Sequence, residues 1–213
     1  MKNYLFDFDG TLVDSMPTYV SAMLRILDEN CISYGDDIVK IITPLGLGGT
    51  AEYYIELGIK KSRDELLEKM LLYMTEAYEN TIEAKPHVIE ALRILHERGD
   101  KLHVLTASPH TSLDPCLKRL GIFDLFQNVW SCDDFNTTKA DPQIYIMAAE
   151  RIGANADEIL FLDDNLNADA TAKRAGMKVC GVFDRSSMEY TNEIKAVCDF
   201  YIEDFAALPT IKF

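Results

Sequence analysis

Residues Tyr4–Phe8 (YLFDF) are apolar until they meet acid, and Gly10 then breaks the run. This reads as a short buried strand ending in carboxylates. From Pro17 to Asn30 the spacing turns helical, with Val20, Met23, Leu24 and Leu27 on one face. Pro17 suits a first helical turn. Residues 31–85 alternate short helical patterns with loops and offer no strand followed by a helix. Within them Ser62 and Glu65 form a capping box, and Leu66, Leu67, Met70, Leu71 and Met74 continue as an amphipathic helix.

The rhythm changes at Pro86. A helix over 86–98 stops at Gly99, a strand over 102–105 ends at Thr106, and another helix ends near Gly121. A strand over 129–132 precedes a helix from about 142 to 152. A strand over 159–162 ends in Asp163-Asp164, a helix runs to Ala175 before Gly176, and 178–182 is the next strand. Strands alternating with helices predict an α/β fold, a doubly wound parallel sheet with helices on both faces. Residues 1–13 and 85–213 are expected to form that core, with 14–84 as a small all-helical domain inserted into it. Asp7, Thr106 and Asp163-Asp164 each fall at the carboxyl end of a predicted strand. In an open parallel sheet those ends line the crevice where ligands bind.

The acids define the chemistry. Asp7 and Asp9, two residues apart in DFDGT, face the same side of an extended segment, and Gly10 allows a tight turn after them. Like charges so close raise one carboxylate's pKa unless a cation neutralises them. A hard divalent ion with oxygen ligands fits, and Mg²⁺ takes one or two carboxylates together with waters and phosphate oxygens. Asp163-Asp164 can complete the ligand set.

Composition narrows the partners. The chain has 213 residues, 48% of them hydrophobic and 26% charged, enough for a sizeable buried core without a disulfide or metal staple. The net charge of −14 argues against nucleic acid or an anionic membrane surface as the main partner. It leaves room for a small anionic substrate, because a bound cation and one or two lysines reverse the local field. Cys31, Cys116, Cys132, Cys180 and Cys198 are odd in number and form no C-x-x-C, which reads as buried, reduced thiols. No apolar run approaches the roughly 18 residues of a membrane span. The N-terminal apolar stretch carries Asp7 and Asp9, unlike a signal peptide. A cytoplasmic protein is expected, a monomer by default, with a dimer left open.

DFDGTLVDS resembles the first motif of the haloacid dehalogenase superfamily, in its phosphatase-type branch. Three further stretches follow in the family's order: LHVLTAS with Thr106, KADPQIY with Lys139, and FLDDNLNAD with Asp163 and Asp164. The likeness covers about residues 1–20 and 85–185, and the helical insert falls where the family carries its helical cap domain. The resemblance implies a Rossmann-like core and a Mg²⁺-dependent phosphatase acting on a small phosphorylated metabolite. It implies Asp7 as nucleophile and Asp9 as acid and base. Mg²⁺ would be held by Asp7, the backbone carbonyl of Asp9, and Asp164. Phosphate would be bound by Thr106, Ala107, Lys139 and Gly10. Thr11 would orient Asp9, and Asp163 would stand behind the metal. Ala140 replaces the proline that usually follows the lysine, which implies a looser loop. Some members have an acid four residues after the metal-binding aspartate; here that position is Ala168, with Asp169 one further on.

Other readings carry less. A sugar-phosphate mutase of the same family typically has a histidine in the hinge after the first motif, where this chain has Tyr19. A dehalogenase does not need the acid supplied by Asp9. A phosphonate-cleaving relative needs a cap lysine, for which Lys40, Lys60 and Lys61 are candidates. A catalytically silent binding protein on this fold is the alternative from another class. GLGGTA at 46–51 satisfies G-x-G-x-x-A, but inside the helical insert it reads as a loop, not a dinucleotide site. Ser108 and His110 suggest a serine triad, yet G-x-S-x-G is absent. Ser108 reads instead as part of the loop beside the phosphate site. His87, His96 and His103 have no ligand spacing.

Overall fold

The N-terminal apolar run forms β1 (Asn3–Phe6) in a computed structural model, which describes the backbone of residues 1–213 and every side chain but that of Pro44. Four helices follow: α1 (Met16–Glu29), α2 (Ile38–Ile42), α3 (Gly46–Glu56) and α4 (Arg63–Asn80). Strands and helices then alternate through α5 (Val88–Glu97), β2 (Lys101–Thr106), α6 (His110–Arg119), β3 (Asn128–Ser131) and α7 (Gln143–Ile152). The chain ends through β4 (Ile159–Asp163), α8 (Leu166–Arg174), β5 (Lys178–Val182), α9 (Thr191–Val197) and β6 (Phe200–Ile202). It divides into two compact units: Met1–Asp14 with Glu83–Phe213, and Ser15–Ile82.

The first unit is the α/β one. Its six strands form one all-parallel sheet in the order β3-β2-β1-β4-β5-β6. The chain moves outward from β1 through β2 to β3, then returns to the other side of β1 as β4. The strand order therefore reverses at β1, and the carboxyl end of β1 faces the crevice such a reversal opens. Tyr4, Leu5 and Phe6 are all fully buried, because a parallel sheet is covered on both faces. Leu5 belongs to a cluster with Ile144, Tyr145 and Ala148 of α7 and Ala168 and Ala172 of α8. Phe6, one residue on and so on the opposite face, meets Phe126 edge-on, with ring centroids 6.2 Å apart. Each such side chain stabilises the fold by about 2 kcal/mol. The short C-terminal strand β6 and helix α9 extend the sheet beyond the last strand expected from the hydrophobic pattern.

The second unit is helical. Met23, Ile26 and Leu27 of α1 cluster with Tyr54 of α3 and Leu66, Met70 and Tyr73 of α4. The Tyr54 hydroxyl donates to the Met23 carbonyl at 2.9 Å. Ser62 caps α4: its hydroxyl accepts from the Glu65 amide at 3.3 Å, and the Glu65 carboxylate accepts from the Ser62 amide at 2.7 Å. The buried stripe of α4 runs through Leu66, Met70, Tyr73 and Ala77, whereas Leu71 is left 53% exposed. GLGGTA is not a loop but the start of α3. Its glycines serve packing: a Cβ on Gly48 would lie 2.8 Å from the Arg63 guanidinium, and one on Gly49 3.0 Å from Leu45.

Between β1 and α1, and again before α5, the chain passes through a small ribbon within the α/β unit. Val13 and Ala84 form an antiparallel bridge. The Asp14 amide donates to the Glu83 carbonyl and the Lys85 amide to the Leu12 carbonyl, both at 3.0 Å. All five cysteines are free; Cys116, Cys132 and Cys180 are buried, Cys198 is half-buried and Cys31 is exposed. Among the described residues no helix is long and apolar enough to cross a membrane.

His103 in β2 is fully enclosed, stacked on Trp130 with ring centroids 6.0 Å apart. The Asn128 side-chain amide meets its Nδ1 at 2.9 Å. Burial, helped by the charge of Lys101, pulls its pKa down to about 4. The unfolded chain protonates this histidine near its usual value of 6.5, which the folded chain resists. The stability it contributes is thus complete above pH 6.5 and lost as pH falls toward 4. Urea unfolding of wild type and His103→Leu at pH 7 and pH 5 should show a pH-linked loss about 2 kcal/mol smaller in the variant. Equal losses in the two proteins would rule out a neutral buried imidazole.

Candidate active site

Asp7 is the first residue past β1. Its amide donates to the Leu162 carbonyl at 2.8 Å, carrying the β1–β4 pairing one step beyond Phe6–Leu162. The register therefore sets Asp7 level with Asp163, the last residue of β4. Carboxylate oxygens of Asp7, Asp163 and Asp164 lie within 4.8 Å of one another. Lys139, in the loop before α7, donates to both Asp7 and Asp163, the latter at 2.8 Å.

That loop is well held despite Ala140. Asp141 accepts from the Thr137 hydroxyl at 3.1 Å and the Gln143 amide at 2.9 Å. The Tyr145 hydroxyl lies 3.3 Å from the Lys139 carbonyl and 3.2 Å from the Ala168 carbonyl, joining the loop to α8. The looseness expected from the missing proline is offset by these bonds. Asp163 has both oxygens occupied, one by Lys139 and the other by the Asn165 amide at 2.8 Å. Asn165 in turn caps α8, accepting from the amides of Asn167 and Ala168 at 2.9 and 3.2 Å.

The DFDGT turn folds over Asp164. Gly10 adopts φ +75°, and a Cβ there would sit 2.6 Å from the Asp164 carboxylate. The turn aims the Thr11 hydroxyl at Asp164, to which it donates at 3.2 Å. This corrects the expectation that Thr11 orients Asp9. Asp9 is instead met by the Ser108 hydroxyl at 2.5 Å, and its carboxylate is not one of the three in the Asp7–Asp163–Asp164 cluster. Thr106 ends β2 almost fully buried, its hydroxyl accepting from the Ser108 amide at 3.1 Å. Ala107 between them is exposed.

Charge is the governing feature. Burial pushes the Asp7 carboxyl up to about 7, opposed by Lys139 and reinforced by repulsion from Asp163 and Asp9. Burial and then the charges of Asp163 and Asp7 hold Asp164 well above the ordinary carboxylate value. Burial works against the charge on Lys139, but attraction from Asp163 and Asp7 outweighs it and raises its pKa. One ammonium among three enclosed carboxylates leaves a negative excess that a divalent cation would balance. The oxygen-only donor set suits Mg²⁺. The residues present therefore fit such an ion, and of the three carboxylates Asp163 has both oxygens engaged, by Lys139 and the Asn165 amide.

Several polar groups fall elsewhere. His110 bridges Asp114 at 2.8 Å and Asp134 at 2.9 Å, while Ser108 turns to Asp9, so the two do not form a serine dyad. Asp169 is fully buried behind the cluster, with one oxygen accepting from the Cys198 thiol at 3.3 Å and the other without a partner among the described residues. Two participants went unseen in the sequence. Lys85 and Asp184 pair at 2.9 Å beside the Gly10 turn, and neither has a local motif to mark it.

Gly10 gives a direct check on this packing. Gly10→Ala forces a side chain into the left-handed region and against Asp164, a cost of about 1–3 kcal/mol. Thermal unfolding should show a lower melting temperature; an unchanged value would mean that the turn does not press on Asp164.

A family model described as haloacid dehalogenase-like hydrolase matches residues 4–182. A pyrophosphatase from Bacillus velezensis is 28% identical over 181 residues, spanning 84% of this chain and 81% of its own. A phosphoglycolate phosphatase from Salmonella typhimurium is 27% identical over 208 residues, spanning 85% of this chain and 81% of its own. Among solved structures, a Thermotoga maritima protein described as a candidate beta-phosphoglucomutase matches all of both chains with a TM-score of 0.87 at 23% identity, which shows a shared fold. With the family model spanning most of its length and its motifs gathered at one sheet edge, the chain belongs to the haloacid dehalogenase-like hydrolases.

Proposed function

We propose that this protein is a magnesium-dependent phosphomonoester hydrolase for a small soluble phosphorylated metabolite, working through an aspartyl-phosphate on Asp7. The supporting observation is the enclosure of Asp7 between Lys139 and two further carboxylates at the switch point of the sheet. The relatives' names support phosphate-ester or phosphoanhydride chemistry and differ in substrate.

In this reading Lys139 and the Thr106 hydroxyl, with the Gly10 and Ala107 backbone, bind the phosphoryl oxygens. A carboxylate of Asp7 attacks phosphorus as the bond to the leaving oxygen breaks. Asp9, kept in place by Ser108, gives that oxygen its proton. Asp9 then takes a proton from water as the water oxygen attacks the aspartyl-phosphate. The bond from phosphorus to Asp7 breaks, inorganic phosphate leaves, and Asp9 is again an acid. A nucleophile must be ionised, and burial with the repulsion of Asp163 and Asp9 pushes Asp7 up to about 7 even with Lys139 opposing them. Lys139 supplies part of the positive charge needed. Magnesium, held by Asp7, Asp164 and the Asp9 carbonyl, would supply the rest and neutralise charge on the transferring phosphoryl group. The helical unit, placed in the chain where the family's cap domain lies, is the proposed selector of substrate. Tyr19, where sugar-phosphate mutases carry histidine, favours the phosphatase over a mutase.

Turnover of an aryl phosphate should require Mg²⁺ and vanish on chelation. Asp7→Asn should lower kcat by at least about 10³-fold, and normal turnover in it would remove Asp7 as nucleophile. Asp9→Asn should still bind phosphate and magnesium while kcat falls about 10²–10⁴-fold; a near wild-type rate would refute its acid–base role.

A further inference from the structure

We propose that Lys85 is a positioning residue of this centre, fixing the Gly10 carbonyl and thereby the Asp9–Thr11 turn against Asp164. The inference rests on the phosphatase reading above and concerns a residue that none of the four motifs contains.

The side chain of Lys85 is only 12% exposed. Its ammonium has three protons and three acceptors: the Gly10 carbonyl at 2.6 Å, the Phe183 carbonyl at 2.5 Å and Asp184 Oδ2 at 2.9 Å. Asp184 is itself anchored. Its other oxygen accepts from the Ser186 amide at 2.8 Å and the Ser186 hydroxyl at 2.6 Å. Burial raises the Asp184 pKa, but the Ser186 bonds and then Lys85 outweigh it and hold the carboxyl below its ordinary value. Lys85, in the segment before α5, is therefore a charged post that ties Phe183 and Asp184 after β5 to the turn after β1.

The turn it holds has no slack. Gly10 lies against the Asp164 carboxylate so closely that a Cβ would collide. Thr11 donates to the same carboxylate from the next residue. Asp9, the proposed acid, precedes Gly10 in the chain. Rotation about the Gly10 backbone would shift the Thr11 hydroxyl relative to the Asp9 carbonyl. Lys85 grips the one carbonyl that sets that rotation. It also brings positive charge toward Asp164, opposing the carboxylates that crowd it. Neither effect needs Lys85 to touch substrate. A misplacement of about 1 Å in such a turn can cost about 100-fold in rate.

The test compares wild type with Lys85→Met and with the double variant Lys85→Met/Asp184→Asn, which removes the pair without stranding a buried charge. Three quantities are read: melting temperature, kcat and KM on an aryl phosphate, and the magnesium chloride concentration that half-saturates the ion's effect on melting. The single variant should melt lower. The double variant should recover most of that stability, yet keep kcat down by about 10–100-fold with KM within about threefold of wild type. Its magnesium midpoint should be at least about threefold higher, because the turn carrying the Asp9 carbonyl is no longer held. A double variant with wild-type kcat and magnesium midpoint overturns the proposal. So does one that fails to fold, since Lys85 would then serve the core and not the turn. Wild type lacking both turnover and a magnesium effect would instead refute the phosphatase reading, and this proposal with it.

Discussion

Two carboxylates that leave adjacent strands at the same level repel each other, and here one ammonium holds them together. Asp7 and Asp163 are brought side by side by the β1–β4 register, and Lys139 donates to both. Breaking such a buried pair by removing one partner leaves an uncompensated charge. The rest of the centre is arranged around this constraint. The loop carrying Lys139 is tied at both ends, Asp163 is spent on orienting the lysine, and the Asp9–Thr11 turn closes over Asp164 from the other side. A sheet that needed only stability would place apolar residues at these ends. The acids are tolerated because positive charge reaches them from lysines remote in sequence.

The contrast between surface and interior follows. The chain carries a net charge of −14, yet the two lysines of the centre, Lys139 and Lys85, are drawn inward and each is shared among several acceptors. An anion approaching at long range meets repulsion, so affinity for phosphate rests on short-range, directional donors. Specificity for the rest of a substrate must come from groups other than the net field.

The sheet's inner strands were legible because burial on both faces makes β1, β2, β4 and β5 read as apolar runs, and because acids end two of them. β6 was not, since a three-residue edge strand between Asp199 and Glu203 has too little pattern to register. GLGGTA misled for a related reason. Glycines signal turns in sequence, but here they admit Arg63 and Leu45 to a helix. In the centre, Asp7, Asp163 and Asp164 followed from strand ends alone, whereas Lys139 needed a resemblance, because nothing in a loop lysine says which strand end it reaches. Thr11 was misassigned to Asp9 because a dihedral of +75° at Gly10 decides where the next side chain points, and spacing in sequence does not record it. Lys85, beside Pro86 at the approach to a helix, reads as an ordinary solvated residue.

The ribbon formed by Leu12–Asp14 and Glu83–Lys85 bears on how such a chain diversifies. Paired backbone on both sides of the junction means that the α/β unit itself brings together the two ends between which residues 15–82 are spliced. The loop-closure entropy of an insertion is then met by hydrogen bonds outside it, and it grows only slowly with length. Helices of another size or sequence could be exchanged at this junction without disturbing strand register. Selection on the insert is thereby freed from selection on the acids at the strand ends, which is a physical route to many surfaces around one centre.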